Sequence, residues 1–406
     1  MEHLSLVLGT LGALLLLGVV SELISHRIRI PRVTLLILSG VVVGPPGLGW
    51  LPSLTREWYP LVSHVALLMV GFLLGRKLER RKLKSVGMPV LAFSVFEVLG
   101  AAVLVCVGTF LAGAPPSMAL VLAGVAPASA PAAVMSVTKE TASKGSFTDT
   151  LLGIVALDDA WGLVVFSLLV ATAGAIAGSV GVLEALTDGG RELGGAILIG
   201  VGLGVPSALL LRWLRGMEPM QAEALGIVLV AGALSLWLES SFILAGMLVG
   251  ATIVNLCPPD REPFQAVEAL EWPIMVLFFV LAGAEADLTR LKDLGVVGTT
   301  YVLLRCVGLV AGAYLGGSIA GVDRSHRRWM GPAIFPQAGV ALGMALVAGQ
   351  RFPQIREDLL AVVIGSTILF EVVGPILTRL ALIRVGDAGA EGAQPGTPAH
   401  SSSDSG

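Results

Sequence analysis

LLGIVALDDAWGLVVFSLLVA, residues 151–171, is an apolar run long enough to cross a bilayer, with Asp158 and Asp159 near its middle. A carboxylate at that depth costs roughly 3 kcal/mol on insertion scales, so an acidic pair there points to function. The plainer alternatives are a polar seam between helices or a pair of structural ion bridges. Neighbouring residues on an α-helix point about 100° apart, however, so the two acids do not reduce to one interface contact.

The surroundings of this run are of the same kind. The chain has 406 residues, 55% of them hydrophobic and only 14% charged, with a mean hydropathy of +0.87. That is too apolar for a soluble domain and too long for a single anchor, which makes it a polytopic membrane protein. No stretch shows the period-2 alternation of a membrane barrel, so the fold class expected is all-α. The first apolar run, residues 4–24, lacks a basic n-region and a small-residue cleavage site and is read as a retained span. Cys106, Cys257 and Cys306 have neither metal-site spacing nor a pairing pattern and are expected to be packing residues.

About thirteen spans are expected: residues 4–24, 31–49, 60–78, 88–112, 117–138, 148–176, 193–214, 222–238, 242–255, 272–288, 296–320, 329–349 and 358–383. With the N-terminus outside, 19 of the 26 Lys and Arg residues fall on the cytoplasmic side, 6 fall outside, and Arg305 lies within a span. That bias fits the positive-inside rule and a multi-pass protein of the plasma membrane with a cytoplasmic C-terminus. Residues 386–406, rich in Gly, Ala, Ser and Pro, are expected to be a disordered cytoplasmic tail, with no nucleotide-binding regulatory domain after the membrane part.

Two spans carry helix breakers at mid-depth. Residues 120–140, LVLAGVAPASAPAAVMSVTKE, place Pro127 and Pro131 among residues too small to fill the gap. Residues 330–349, MGPAIFPQAGVALGMALVAG, place Pro332, Pro336, Gln337 and Gly339 near the start. Proline removes a backbone donor and clashes with the preceding turn, and freed carbonyls at membrane depth are tolerated only beside protein or a watery cavity. The interrupted spans are the fifth and the twelfth, seven apart. This pattern points to a secondary transporter built from two inverted six-helix repeats with crossed broken helices. The expected division is repeat one at 1–176, a linker helix at 193–214 and repeat two at 222–385, one transmembrane unit over 1–385.

Five stretches resemble the monovalent cation/proton antiporter superfamily, the bacterial sodium/proton exchangers in particular: IPRVTLLILSGVVVGPPGLG (30–49), ASAPAAVMSVTKE (128–140), ALDDAWGLVVF (156–166), YVLLRCVGLVAG (301–312) and PQAGVALGMAL (336–346). The resemblance runs nearly the full length of the spans. It implies that Asp159, the second acid of the pair, binds the cation and the proton in turn, beside Asp158. It also implies that Arg305 takes the place of a basic residue on the eleventh span. Where family members often have Thr-Asp-Pro or Thr-Ser-Pro in the first broken helix, this chain has Ser129, Ala130 and Pro131. The Ala130 departure removes one polar contact and leaves ion selectivity open.

The function expected is secondary antiport of a monovalent cation, Na⁺ first with K⁺ and Li⁺ as alternatives, against H⁺ by competition at the aspartates. The chain is expected to be no enzyme and to need no cofactor. Hard monovalent cations prefer oxygen ligands, which Asp159, Asp158, Ser129 and freed carbonyls supply. A sodium-coupled organic-anion symporter of similar fold is the alternative. An intramembrane aspartyl protease is disfavoured, because its two acids must face each other from different helices. Glu97 on the fourth span and Arg305 on the eleventh are expected to pair, and an arginine that stays charged points to electroneutral exchange. Partners expected are the cation, the proton, membrane lipid and a second copy of the chain; no nucleic acid is expected.

Overall fold

The computed structural model describes residues 2–28, 32–45, 47–52, 55–81, 87–177, 182–213, 221–257, 263–284, 295–337 and 339–389. Among these residues the fold is all helix and turn. In chain order the helices are α1 (Glu2–Ile28), α2 (Arg32–Val43), α3 (Thr55–Lys77), α4 (Met88–Leu111), α5a (Pro116–Val125), α5b (Pro131–Glu140), α6 (Ser146–Ala177) and α7 (Val182–Trp213). They continue as α8 (Gln221–Trp237), α9 (Phe242–Leu256), α10 (Phe264–Ala284), α11 (Gly295–Ile319), α12a (Arg324–Ala333), α12b (Gly339–Arg351) and α13 (Arg356–Val385). Described helices overlap the residue ranges of the expected spans. Eight helices are long and apolar enough by themselves to cross a membrane, and residues 116–125, 221–237 and 242–256 form shorter apolar ones. The largest departure from expectation is α7, which starts at Val182 rather than near 193.

Helix ends follow local chemistry. Ser241 caps α9 by accepting from the Leu244 N–H at 3.4 Å, and Asp323 caps α12a by accepting from the Ser325 N–H at 2.9 Å. Pro116 and Pro131 stand at the first positions of α5a and α5b, where a missing N–H costs nothing. Gly386, at φ +90°, closes α13 in the left-handed conformation that glycine adopts without strain.

The helices sort into two bundles. In one, α4 packs along α11, α5a packs on α4 and α6, and α12a and α12b pack on α13. In the other, α2 packs on α10, α3 on α9 and α10, and α7 on α9. The α4–α11 contact is close because a Cβ on Gly308 would meet the Ala101 Cα at 2.6 Å, and one on Gly100 would meet the Gly308 carbonyl at 2.6 Å. Small residues at such crossings let backbones touch where lipid supplies no hydrophobic drive. This crossing holds polar side chains at mid-depth, and α6 and both helix breaks pack around it.

Residues 386–389 do not behave as the start of a free tail. The Lys144 N–H donates to the Asp387 carbonyl at 3.0 Å, and the Gly389 N–H donates to the Thr141 carbonyl at 2.9 Å. The Asp387 carboxylate accepts from the Thr148 N–H and hydroxyl, both at 2.9 Å. The first residues after α13 are therefore tied to the turn between α5b and α6, because an acid at a helix N-terminus meets unpaired amides there. The rest of the expected disordered tail, 390–406, lies outside the described residues.

Candidate functional site

Asp158 is fully buried on α6, and the Ser94 hydroxyl of α4 donates to its Oδ1 at 3.0 Å. One helical turn along α4, Glu97 is also fully buried and lies beside the Asp158 carboxyl. Ser94 and Glu97 are three residues apart and so share the face of α4 turned to α6. Asp159 is the next residue of α6; its side chain lies outside the described residues.

The two breaks fall where prolines and small residues announce them. The first helix stops at Val125 and resumes at Pro131, spanning Pro127 and Ser129. The second stops at Ala333 and resumes at Gly339, spanning Pro336 and Gln337, while Pro332 sits inside α12a. Each break leaves carbonyls without helical partners, and one side chain collects three of them. Arg305 of α11, fully buried, donates from Nε to the Ala126 carbonyl at 2.8 Å and from Nη2 to the Ala128 carbonyl at 3.0 Å. Its Nη1 donates to the Phe335 carbonyl at 3.0 Å in the other break. The guanidinium also stacks over Phe370, 4.2 Å from the ring centroid.

This geometry corrects one expectation. Glu97 and Arg305 belong to the same crossing but form no hydrogen-bonded ion pair. The nitrogens of Arg305 are engaged by carbonyls of the two breaks, and among the described residues neither Glu97 oxygen has a hydrogen-bond donor. The two charges act on each other only through space. The five-donor fork of arginine suits bridging several acceptors, which the sequence reading did not foresee.

Ser129 is buried in the first break with no hydrogen-bond partner on its hydroxyl. Gln337 is buried in the second, its Nε2 donating to the Tyr301 hydroxyl at 3.2 Å while its Oε1 has no partner. On α13, the Ser366 hydroxyl donates to the Val363 carbonyl at 3.1 Å, and the buried hydroxyl of the adjacent Thr367 has no partner among the described residues. Ser94, Tyr301, Ser366 and Thr367 went unnoticed in the sequence, since single hydroxyls in apolar helices are common. Ser94 had one signal, its helical spacing from Glu97.

The result is a buried crossing with acids on one side, a guanidinium at its centre and polar oxygens from both breaks. Further along α6, a cavity of about 290 Å³ lies between Phe166 and Ser167, the turn at Glu239–Ser241, and Gln350 of α12b. The buried oxygens of the crossing are of the kind that can bind a dehydrated cation or a proton.

A sequence model described as "Sodium/hydrogen exchanger, transmembrane" matches residues 12–383. The ammonium/H⁺ antiporter subunit AmhT of Alkalihalophilus pseudofirmus is 22% identical over 364 residues, 86% of this chain and 85% of that one. The structure of the sodium proton antiporter MjNhaP1 from Methanocaldococcus jannaschii at pH 8 superposes with a TM-score of 0.76 at 20% identity. That superposition covers 95% of this chain and all of the other, so the two share a fold.

Proposed function

The chain belongs to the family of transmembrane sodium/hydrogen exchangers, a multi-pass membrane transporter and not an enzyme, and from that premise we propose that it exchanges Na⁺ for H⁺ at Asp159 and Asp158. The observation that carries this reading is the fully buried Asp158 of α6 beside two interrupted helices whose freed carbonyls converge on Arg305. Proton and cation compete because a protonated carboxyl has no charge for the cation, and alternating access then couples the two fluxes. Ammonium joins K⁺ and Li⁺ as an alternative substrate, since a relative is named for it.

The inverted-repeat organisation belongs to the same proposal, with repeat one at 1–176, the linker at 193–214 and repeat two at 222–385. Its support is a constant register: 305 − 97, 337 − 129, 366 − 158 and 367 − 159 all equal 208. Gly100 and Gly308 have the same separation and face each other across α4 and α11, as residues beside a two-fold axis do. The α2–α10 contact likewise maps onto α9–α3 when the halves are exchanged. By this register Ser366 and Thr367 stand where the first repeat has its acids, and Arg305 stands where it has Glu97. A single charged site then serves both halves. The N-terminus outside, the C-terminus in the cytoplasm, bound lipid and a homodimer complete the reading.

The test is dequenching of a pH dye in acid-loaded proteoliposomes on adding Na⁺, K⁺, Li⁺ or NH₄⁺ separately. Sodium should discharge the gradient first and most steeply. Discharge by none of the four, with protein incorporated, would sink the proposal.

A further inference from the structure

Glu97 poses a chemical problem that the aspartate pair alone does not solve. Its carboxyl is fully buried, and among the described residues neither oxygen receives a hydrogen bond. Ionised and unpaired in a buried interior, such a group is strongly disfavoured. The nearest cation, Arg305 of α11, directs its nitrogens at the Ala126, Ala128 and Phe335 carbonyls. The acid beside Glu97 is Asp158 of α6, fully buried and held against the same face of α4 by the Ser94 hydroxyl at 3.0 Å, another acceptor when ionised. Two carboxylates in contact hold together only with a proton or a cation between them.

We infer that Glu97 is a third carboxylate of the exchange site, sharing a proton or the transported cation with Asp158, and not a counter-ion for Arg305. This rests on the antiporter reading and adds to it a ligand from α4. The groups facing Glu97 are Asp158 on α6 and Arg305 on α11, with Ser94 on its own helix holding Asp158 Oδ1. Ser94 is a positioning residue: its hydroxyl fixes one Asp158 oxygen, which leaves the carboxyl oriented toward Glu97. The bridging species leaves the Glu97 and Asp158 oxygens as α6 changes access, and its partner in exchange takes the same oxygens.

The experiment compares wild type, Glu97→Gln, Glu97→Asp and Ser94→Ala in two assays. The first is cation-driven proton efflux from proteoliposomes at several pH values. The second is thermal stabilisation of the detergent-purified proteins by Na⁺ or Li⁺. Glu97→Gln should raise the apparent KM for the cation tenfold or more and move the pH profile, while the cation-free protein melts no lower than wild type. Glu97→Asp should recover part of the affinity, and Ser94→Ala should give a smaller rise in KM. If instead Glu97 balances Arg305, Glu97→Gln will melt well below wild type without cation and keep the wild-type KM and pH profile; that result overturns the inference. A wild type that exchanges none of the cations removes the antiporter reading, and the inference with it. A wild type that exchanges beside an unaltered Glu97→Gln removes the inference alone.

Discussion

Arg305 reaches across both helix breaks, its Nε 2.8 Å from the Ala126 carbonyl and its Nη1 3.0 Å from that of Phe335. The side chain thereby joins the interruption after α5a to the one after α12a and satisfies acceptors that lipid cannot. Lysine has the charge but no planar fork, so Arg305→Lys keeps one of the three carbonyl bonds at a time. With charge-assisted bonds at about 1.5–3 kcal/mol each and two of them lost, the variant should lose roughly 3–6 kcal/mol of stability. The measurement is the thermal midpoint in detergent, with Arg305→Met lower still. An unchanged midpoint in both would mean that the freed carbonyls find other partners.

Asp159→Asn should abolish exchange, lowering the rate about a hundredfold or more, which corresponds to roughly 2.7 kcal/mol of barrier. The amide keeps the shape of the side chain but holds neither the proton nor the cation. Asp158→Asn should be milder, because Glu97 remains to share the site. Initial rates of dye dequenching at matched protein density check both, with gel filtration confirming that the variants fold. Full activity in Asp159→Asn would remove that residue from the mechanism.

Competition fixes a pH dependence. When the site binds one proton or one cation, acidification converts the cation-accepting form into the protonated one. The apparent KM for Na⁺ should then rise about tenfold per pH unit once the site is mostly protonated, with maximal rate less affected. Stability follows the opposite substrate: Na⁺ should raise the melting temperature at pH 8.5 and do little at pH 5.5. A sodium affinity constant over that range would exclude a shared site.

The breaks were legible because proline chemistry is local: Pro127, Pro131 and Pro336 remove donors wherever the chain goes. Asp158 was legible because a charge in an apolar run has few explanations. The contacts of Glu97 were not. Which neighbour a buried acid meets depends on the rotation of α4 against both α6 and α11, and hydropathy does not encode that angle. The tie at Asp387 was hidden for another reason: a Gly- and Ala-rich segment reads as disordered unless the unpaired amides of a distant helix start are known to be nearby.

Asp387→Ala should loosen the start of α6 without stopping transport. The substitution removes the acceptor for both the Thr148 N–H and hydroxyl, and loss of such a cap costs about 0.5–2 kcal/mol. Gly145 packs against this carboxylate at φ +151°, so the turn from 141 to 148 is shaped around it. Hydrogen exchange by mass spectrometry should show faster labelling of residues 141–150 in the variant, by up to about thirtyfold at the upper end of that cost. Unaltered labelling there would mean that the backbone bonds at Lys144 and Gly389 hold the turn alone.

The stoichiometry of exchange follows from which charges stay fixed. Arg305 has three nitrogens bound to carbonyls of the two breaks, and a guanidinium held this way keeps its proton through the cycle. A lysine at this position can give up a proton when the cation arrives, which adds a charge to each turnover; arginine closes that route. On the proposed mechanism the carboxyls then change state while Arg305 does not. One sodium displacing one proton from them leaves the net charge of the site the same in both directions, and the exchange should be electroneutral. The check is sodium-driven proton efflux in proteoliposomes under a potassium diffusion potential set with valinomycin. Equal initial rates at inside-negative, zero and inside-positive potential are expected. A rate that rises with one sign and falls with the other would show that net charge crosses the membrane, and two carboxyl protons, one of them from the Glu97–Asp158 pair, would then have to leave for each cation bound.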